Sequence, residues 1–306
     1  MTSPFGRPVI IANPSSGRGR SEAKLRTIEH MLRDSGLDVR VVLTTGPGHA
    51  AEAAAQALRD GDRFLVAAGG DGTVHEVING MFAGEQPIAP DAVLGVLPTG
   101  SGCDFVKSFG IPGDAVKAAA HLTGDAVRTI DLGRITFADG AATTVKYFAN
   151  IAEAGLGGSV VARAAALPSA FVATRYFFGF WLTLPRFRPA TVTLDADGQA
   201  FEWQAHNVVV ANCRYYGGGM QISPKSEADD GRLDVLVMTG PKSDAYTTLP
   251  KVYRGTHLPH RNIAELRVSR VTVETGTPYP IEADGELLGT TPATFEVVPG
   301  ALRLKV

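Results

Sequence analysis

The sequence has little of what marks several large classes of protein. Its 306 residues include two cysteines, Cys103 and Cys213, which lie far apart and form neither a C-x-x-C pair nor a zinc-binding spacing. The chain therefore offers no disulfide framework, and so few thiols suit a reducing compartment. The formal net charge of −2 also provides no overall basic field of the kind that binds nucleic acid.

Long apolar runs are missing as well. The N-terminus has no extended apolar segment of the secretory type. The most apolar stretch, residues 169–187, is interrupted by Arg175 and Pro185, whereas a membrane-spanning helix needs about 20 consecutive apolar residues. We therefore expect no transmembrane helix. A hydrophobic content of 44% fits a globular protein that is long enough for two domains.

The first 132 residues alternate between short apolar strands and helices. The strand segments are "RPVIIAN", "DVRVVLTT", "RFLVAA" and "AVLGVLP", and helical segments such as "SEAKLRTIEHMLRDSG" and "HAAEAAAQALRDG" lie between them. This alternation predicts an α/β domain with a mostly parallel sheet that helices cover on both faces. Residues 133–306 are mostly strand-like, with helices near 158–184 and 242–256, and predict an antiparallel β-sandwich or barrel.

The stretch "AAGGDGTVHEVING" combines a glycine-rich loop with an acid. The glycines allow the strand-to-helix turn to approach a ligand closely, and the start of the helix suits a phosphate. The spacing of Thr73 and Glu76 predicts a capping box with the helix beginning at Thr73. Asp71 would repel a phosphate unless a divalent cation lies between them or the acid accepts a proton. Both uses belong to phosphoryl transfer, and the alternative is a tight turn with a solvated Asp71.

Two further loops follow strands in the same domain. "NPSSGRGR" and "LPTGSGCDF" both contain glycines and hydroxyl groups, and each alone fits a plain connecting loop. Three such loops at the carboxyl ends of neighbouring strands indicate the edge where open α/β sheets bind ligands.

The second half of the sequence contains two acidic turns. "SEADDGRLD" places four carboxylates close together, which suits either a hard cation or a plain acidic hairpin turn. Asp284-Gly285 is a strong signal for a hairpin turn.

Together these motifs resemble those of the diacylglycerol kinase catalytic family, which includes sphingosine kinases, ceramide kinases and bacterial lipid kinases. "NPSSG", "GGDGTVHEVING" and "LPTGSGCDF" are similar to its nucleotide loops, "NCRYYGGGMQISPKSEADDGRLDV" to its second-domain motif, and "DGE" at 284–286 to its terminal motif. The match runs over almost the whole chain. It departs from the family at Cys103, where asparagine is usual, and at Cys213, where glycine is common.

The resemblance implies a fold and a set of site residues. The fold is an NAD kinase-like α/β domain over residues 1–132, followed by a lipid-kinase β-sandwich over 133–306. Asp71, Asp284 and Glu286 become the candidate catalytic and supporting carboxylates. The implied ATP site is lined by Asn13, Thr44, Thr45, Gly69, Gly70, Gly72, Thr73 and Ser101.

The resemblance also implies the chemistry and its cofactors. A structural Mg²⁺ would bind Asp230 with backbone oxygens near Glu227 and Arg232. The activity would be transfer of the γ-phosphoryl group of Mg-ATP to a hydroxyl of a lipid such as diacylglycerol. We expect a cytoplasmic protein that contacts the membrane surface transiently and binds no nucleic acid, and the sequence leaves open whether it forms a homodimer.

The sequence leaves several alternatives open. The aromatic stretch 171–184 is either a surface for an acyl chain or bilayer, or ordinary core packing. A soluble-substrate kinase of the NAD kinase type shares the GGDG core but does not account for the motif at 212–234. A non-catalytic nucleotide-binding regulator would not need the intact carboxylates at 71, 230, 284 and 286.

Overall fold

A computed structural model describes residues 3–16, 21–100, 102–140, 142–166 and 175–306, which form two units. The first unit contains Met1–Asp131 and Pro299–Val306, and the second contains Leu132–Val298.

The first unit alternates between strands and helices along the chain. Its elements are β1 (Pro8–Ala12), α1 (Ser21–Asp34), β2 (Arg40–Leu43), α2 (His49–Arg59), β3 (Phe64–Gly69), α3 (Asp71–Gly80), β4 (Phe82–Ala83), β5 (Gln86–Pro87), β6 (Val93–Pro98), α4 (Phe105–Ser108) and α5 (Ala115–Ala118).

The sheet of this unit is parallel in the order β2-β1-β3-β6. Every residue of β1, β3 and β6 is buried, which explains why these strands are continuous apolar runs without alternation. The predicted α/β domain with a mostly parallel sheet is confirmed. Because the strands are parallel, the loops that follow β1, β2, β3 and β6 all leave from one edge of the sheet.

The predicted capping box at Thr73 is wrong. Helix α3 begins two residues earlier, at Asp71, and Gly70 is its N-cap without a side-chain hydrogen bond. The Glu76 carboxylate accepts hydrogen bonds from the N–H groups of Gly48 (2.9 Å) and Ala50 (3.0 Å) instead. These N–H groups lie at the start of α2, so Glu76 caps a neighbouring helix rather than its own.

The second unit consists mainly of strands. Its elements are β7 (Val127–Asp139), β8 (Ala142–Phe148), β9 (Ile151–Gly155), α6 (Leu156–Ala165), α7 (Arg175–Thr183), β10 (Ala190–Ala196), β11 (Gln199–Ala205), β12 (Asn207–Ala211), β13 (Tyr215–Tyr216), β14 (Met220–Gln221), β15 (Leu233–Met238), α8 (Asp244–Val252), β16 (Ile263–Val268), β17 (Arg270–Thr275), β18 (Pro280–Ala283), β19 (Glu286–Thr290) and β20 (Ala293–Lys305).

Antiparallel sheets enclose the core of the second unit. One sheet has the order β16-β15-β12-β9-β18-β19, and β11-β10-β17-β20 form the other layer. Inward side chains such as Val192 and Leu194 of β10 share one buried cluster with Val208 and Val210 of β12. The predicted β-sandwich is confirmed. None of the helices in the described part of the chain is both long and apolar enough to cross a membrane.

The end of the chain returns to the first unit. Arg303 and Leu304 of β20 pair in parallel with Val93 and Leu94 of β6. The unbroken strand pattern of "TFEVVPGALRLKV" places residues 299–306 in the second domain. A strand pattern does not identify the partner strand, so it cannot reveal that the two ends of β20 pair differently.

Candidate functional site

The loop after β1 is fixed by hydrogen bonds of its polar groups. The N–H of Asn13 donates to the carbonyl of Ala68 (3.0 Å), and the Asn13 Oδ1 accepts from the N–H of Ser15 (2.9 Å). The hydroxyl of Ser16 hydrogen-bonds with the hydroxyl of Thr99 in the loop after β6 (3.1 Å). The first and third loops of the predicted nucleotide site are therefore joined.

The loops after β3 and β6 pack backbone against backbone. The N–H of Gly100 donates to the carbonyl of Gly69 (3.1 Å). A Cβ atom on Gly70 would lie 2.9 Å from the Gly102 carbonyl oxygen, and one on Gly100 would lie 2.9 Å from the Cα of Gly70. Larger residues at these positions would push the loops apart, so this contact requires the glycines.

The other predicted nucleotide residues lie along the same edge of the sheet. Thr44 and Thr45 follow β2, and Thr44 is buried while Thr45 is exposed. Gly72 and Thr73 lie in the first turn of α3, where the Thr73 side chain is buried. Ser101 lies outside the residues that the structure describes.

Asp71 links the second and third loops through its carboxylate. Its Oδ2 accepts from the N–H of Asp104 (3.0 Å) and its Oδ1 from the N–H of Phe105 (3.1 Å), at the start of α4. The structure thus gives Asp71 a positioning role that the sequence did not indicate, and its catalytic role stays a prediction.

Cys103, which stands where the family usually has asparagine, is enclosed beside this acid. Burial raises the pKa of the Cys103 thiol well above its ordinary value, and the negative charge of Asp71 raises it further. The thiol therefore stays protonated, and we assign it packing rather than nucleophilic chemistry.

A groove with mostly apolar walls lies beside these loops. It is too narrow to admit a water molecule, so it offers no room for a ring. The groove is lined by Ala12, Asn13, Pro14, Leu25, Leu43, Ala68 and Thr99.

In the second unit, Asp284 and Gly285 form the two-residue turn between β18 and β19. Ala283 pairs with Glu286 across the turn, and both turn residues have positive φ, +50° and +89°. Two positive φ values characterise the type I′ hairpin turn, which favours an Asp-Gly sequence. The predicted hairpin is confirmed.

The Asp284 carboxylate is held by three backbone donors. Its Oδ2 accepts from the N–H of Ala149 (2.9 Å), and its Oδ1 accepts from Asn150 (2.9 Å) and Ile151 (3.2 Å). The Asp284 N–H in turn donates to the carbonyl of Ile151 (2.9 Å). These bonds fix the turn to the short connection between β8 and β9 and to the first residue of β9. The side chain of Glu286, two residues later, is exposed instead.

Two buried acids near this turn were missed by the sequence analysis. Glu153 in β9 and Glu282 in β18 are 2% and 3% exposed. Burial raises the pKa of Glu153 to about 7. Burial also raises the pKa of Glu282 well above its ordinary value, and the negative charge of Glu153 adds to this effect. For Glu282, the sequence signal that could have revealed a buried acid is its place in a strand between two apolar residues, Ile281 and Ala283.

The acidic turn before β15 contains the predicted metal residues. Asp230 is paired with the guanidinium of Arg267, and its Oδ1 accepts from the N–H of Arg232 (2.9 Å). Glu227 and Arg232 are exposed. Within the described ranges, no three acidic, histidine or cysteine side chains lie close enough to hold a metal ion. A cation here would therefore depend on backbone oxygens and water, and the Mg²⁺ prediction stays untested.

Helix α7 places part of the aromatic stretch 171–184 at the surface. Phe178 and Leu182, one helical turn apart, are 43% and 44% exposed. On another face, Phe180 and Trp181 pack against a buried cluster that includes Leu184. The segment thus contributes to core packing, and its role as a surface for an acyl chain or bilayer stays a prediction. Residue 171 and the side chain of residue 177 lie outside the described part.

Comparisons with known proteins match both parts of the chain. Residues 7–135 match the family described as diacylglycerol kinase catalytic domain, and residues 150–306 match the one described as YegS C-terminal NAD kinase beta sandwich-like domain. A diacylglycerol kinase of Bacillus subtilis (strain 168) is 30% identical over 296 residues, which cover 94% of this chain and 92% of that protein.

A relative and a solved structure agree with these matches. A diacylglycerol kinase of Mycobacterium tuberculosis (strain ATCC 25618 / H37Rv) is 32% identical over 309 residues, covering 98% of this chain and 95% of that protein. The crystal structure of a diacylglycerol kinase from Bacillus anthracis str. Sterne has a TM-score of 0.75 at 23% identity and covers 99% of this chain and 98% of that one. At this identity the structural likeness concerns the fold alone.

Proposed function

The chain belongs to the diacylglycerol kinase catalytic family and is a lipid kinase, and we propose that it phosphorylates a hydroxyl of diacylglycerol with Mg-ATP at a membrane surface. The observation that carries the nucleotide part of this proposal is the joining of three glycine- and hydroxyl-rich loops at one edge of a parallel sheet. In open α/β folds this edge binds ligands.

In this proposal the first unit binds the nucleotide. Gly69, Gly70 and the first turn of α3 receive the phosphates, because a helix N-terminus presents unpaired N–H groups and a positive dipole. Asp71 maintains the distance between the two glycine loops, since its carboxylate bonds to the backbone of the third loop.

Mg²⁺ reaches the protein bound to ATP, as part of the substrate. When bound, it neutralises charge on the phosphate oxygens, which supply part of its coordination shell together with water. A second, structural Mg²⁺ at Asp230 would have to compete with the Arg267 guanidinium for that carboxylate.

The carboxylates of the second unit differ in their suitability as a proton acceptor. Asp284 already accepts three backbone hydrogen bonds, which suits an anchor. The exposed Glu286 side chain begins β19 directly after the rigid turn, and we assign it the role of receiving the proton of the lipid hydroxyl. A carboxylate of ordinary pKa near 4 is a weak base, but the loose transition state of phosphoryl transfer needs proton removal only late.

The lipid surface in this proposal is the exposed face of α7 with the neighbouring aromatic side chains near α8. Phe178, Leu182, Tyr246 and Tyr253 are 43%, 44%, 65% and 52% exposed, and the rings of Trp181 and Tyr246 lie 4.9 Å apart. Aromatic and aliphatic side chains together suit the boundary between lipid headgroups and acyl chains. The contact is peripheral, and we place the enzyme in the cytoplasm, where ATP is available.

Activity across a panel of acceptors tests the proposal. Purified protein is incubated with γ-labelled ATP, Mg²⁺ and vesicles that carry diacylglycerol, a sphingoid base, a ceramide or phosphatidylglycerol, with NAD and water as controls. We expect label in phosphatidate. Preference for another lipid would retain the kinase and overturn the diacylglycerol assignment, and label in NADP would support the NAD kinase alternative.

A further inference from the structure

Two buried glutamates lie opposite each other next to the Asp284-Gly285 turn. Glu153 of β9 and Glu282 of β18 are direct partners in an antiparallel strand pair, so their side chains leave the same face of the sheet. The Cβ atoms of such partners lie about 5 Å apart, and like charges at these positions destabilise a sheet. No lysine, arginine or histidine of the described residues forms an ion pair with either acid.

The surroundings of Glu153 are built to hold a carboxyl group. Asn207 Nδ2 donates to Glu153 Oε1 (3.0 Å), and Asn207 Oδ1 accepts from the N–H of Gly157 (3.1 Å), which fixes the direction of the amide. The Tyr216 hydroxyl donates to the same carboxyl group. A Cβ atom on Gly157 would lie 1.6 Å from Glu153 Oε2, so only glycine leaves the space that this acid occupies.

Glu282 connects the pair to the turn. Its Oε2 accepts from the N–H of Gly285 (2.9 Å), three residues later in the chain. This bond joins the residue before the turn to the turn itself. The carboxylate of Asp284 binds the same turn to the connection between β8 and β9. The position of Glu286 therefore depends on the Glu282 side chain.

We propose that Glu282 and Glu153 form a positioning pair that carries one proton for its two carboxyl groups and thereby fixes the Asp284-Gly285-Glu286 turn. If both were ionised, two buried anions would repel each other without a cation to offset them. With one proton bound, Glu282 keeps its bond to Gly285 and the pair carries a single charge. The link to catalysis rests on the proposed role of Glu286, whereas the sharing of a proton does not.

The electrostatic surroundings agree with this geometry. The pKa values of both carboxyls are raised, and the other ionisable groups that act on the pair or on Tyr216 are Asp284, Glu286 and Tyr253, none of them cationic. Raised pKa values mean that the folded protein binds the proton more tightly than the unfolded chain. The resulting stabilisation is complete below the ordinary glutamate pKa of 4.5 and is lost as pH rises through the folded values, first near 7 for Glu153.

The decisive variant is Glu282→Gln, which mimics the protonated acid. Its amide oxygen can still accept from the N–H of Gly285, and the amide carries no charge at any pH. For the wild type, the unfolding equilibrium constant should rise with pH above about 5, with a limit of about tenfold per pH unit for each proton. The variant should show a smaller slope, and its kcat should decline less at alkaline pH. A pH slope equal to that of the wild type would overturn the shared proton.

Two further variants separate positioning from a general packing defect. Glu282→Ala removes the acceptor for Gly285 and should lower kcat at least about tenfold at every pH, with little change in the KM for ATP. Glu202→Gln, an exposed acid of the same unit, is the matched control and should match the wild type in both measurements. An unchanged kcat for Glu282→Ala would overturn the positioning role.

If Glu282→Gln does not fold, Glu153→Gln takes its place, because its amide oxygen can still accept from Asn207, and the same flattening of the pH slope is required. If the wild type lacks kinase activity, the unfolding data still decide whether a proton is shared. The two hypotheses can therefore fail separately.

Discussion

Replacing Asp71 with asparagine tests whether this acid positions the glycine loops. The carboxylate accepts one N–H on each oxygen, from Asp104 and Phe105. An asparagine side chain of the same shape has one acceptor oxygen, and its NH₂ group would face an N–H donor. One hydrogen bond to a charged group is lost and one backbone donor is left without its partner, in a region that is half-buried.

The size of the effect follows from these contacts. Losing a hydrogen bond to a charged group costs about 2 kcal/mol, within the range of roughly 1.5–3 kcal/mol found for such bonds. For a unit of this size, that change lowers the melting temperature by about 4–8 °C. If the loops must also be in place to bind the phosphates, 2 kcal/mol corresponds to a loss of about thirtyfold in kcat/KM for ATP. Differential scanning calorimetry and steady-state kinetics measure the two quantities.

Glu76→Gln is the matched control for this variant. Glu76 also accepts two backbone N–H groups, from Gly48 and Ala50, and is equally half-buried on the same helix. We expect a similar decrease in melting temperature with a much smaller loss of kcat/KM. If Asp71→Asn instead keeps its melting temperature and loses at least about a hundredfold in kcat, Asp71 is an acid–base group and the positioning account is wrong.

Three further predictions concern the second unit. Asp284→Asn should lower the free energy of unfolding in urea by about 3 kcal/mol because three N–H groups lose a carboxylate, while asparagine tolerates the left-handed backbone of the turn. A change below about 1 kcal/mol would contradict the anchor role. Glu286→Gln should lower kcat at least about a hundredfold with the melting temperature within about 2 °C; near-normal kcat would exclude it as proton acceptor. The double variant Phe178→Ser and Leu182→Ser should bind vesicles more weakly in a sedimentation assay, whereas Met31→Ser, at an exposed position of the first unit, should bind like the wild type. Equal binding by the two variants would refute the lipid surface.

The fold was predictable because its main signals are local. Continuous apolar runs identified the buried parallel strands β1, β3 and β6, and their alternation with helices defined the first domain. Alternating burial along β10 likewise matched the antiparallel sandwich. The Asp284-Gly285 hairpin followed from a dipeptide that tolerates two positive φ values.

The errors and omissions share a different cause, which is contact between distant positions. The Thr73–Glu76 spacing fits a capping box, but Glu76 bonds to backbone groups 26 and 28 residues earlier in the chain. Glu153 and Glu282 become partners only when β9 and β18 pair. The bond of Asp71 to the N–H of Asp104, 33 residues later, likewise forms only when the third loop folds against it. Sequence spacing reports neighbours along the chain and carries no information on these pairings.

The most direct test of the central claim is single-turnover transfer from γ-labelled Mg-ATP to diacylglycerol in vesicles, with wild type and Glu286→Gln saturated equally with ATP. The account predicts labelled phosphatidate from the wild type and at least about a hundredfold slower transfer by the variant. Label found only in inorganic phosphate, or equal rates for the two proteins, would contradict it.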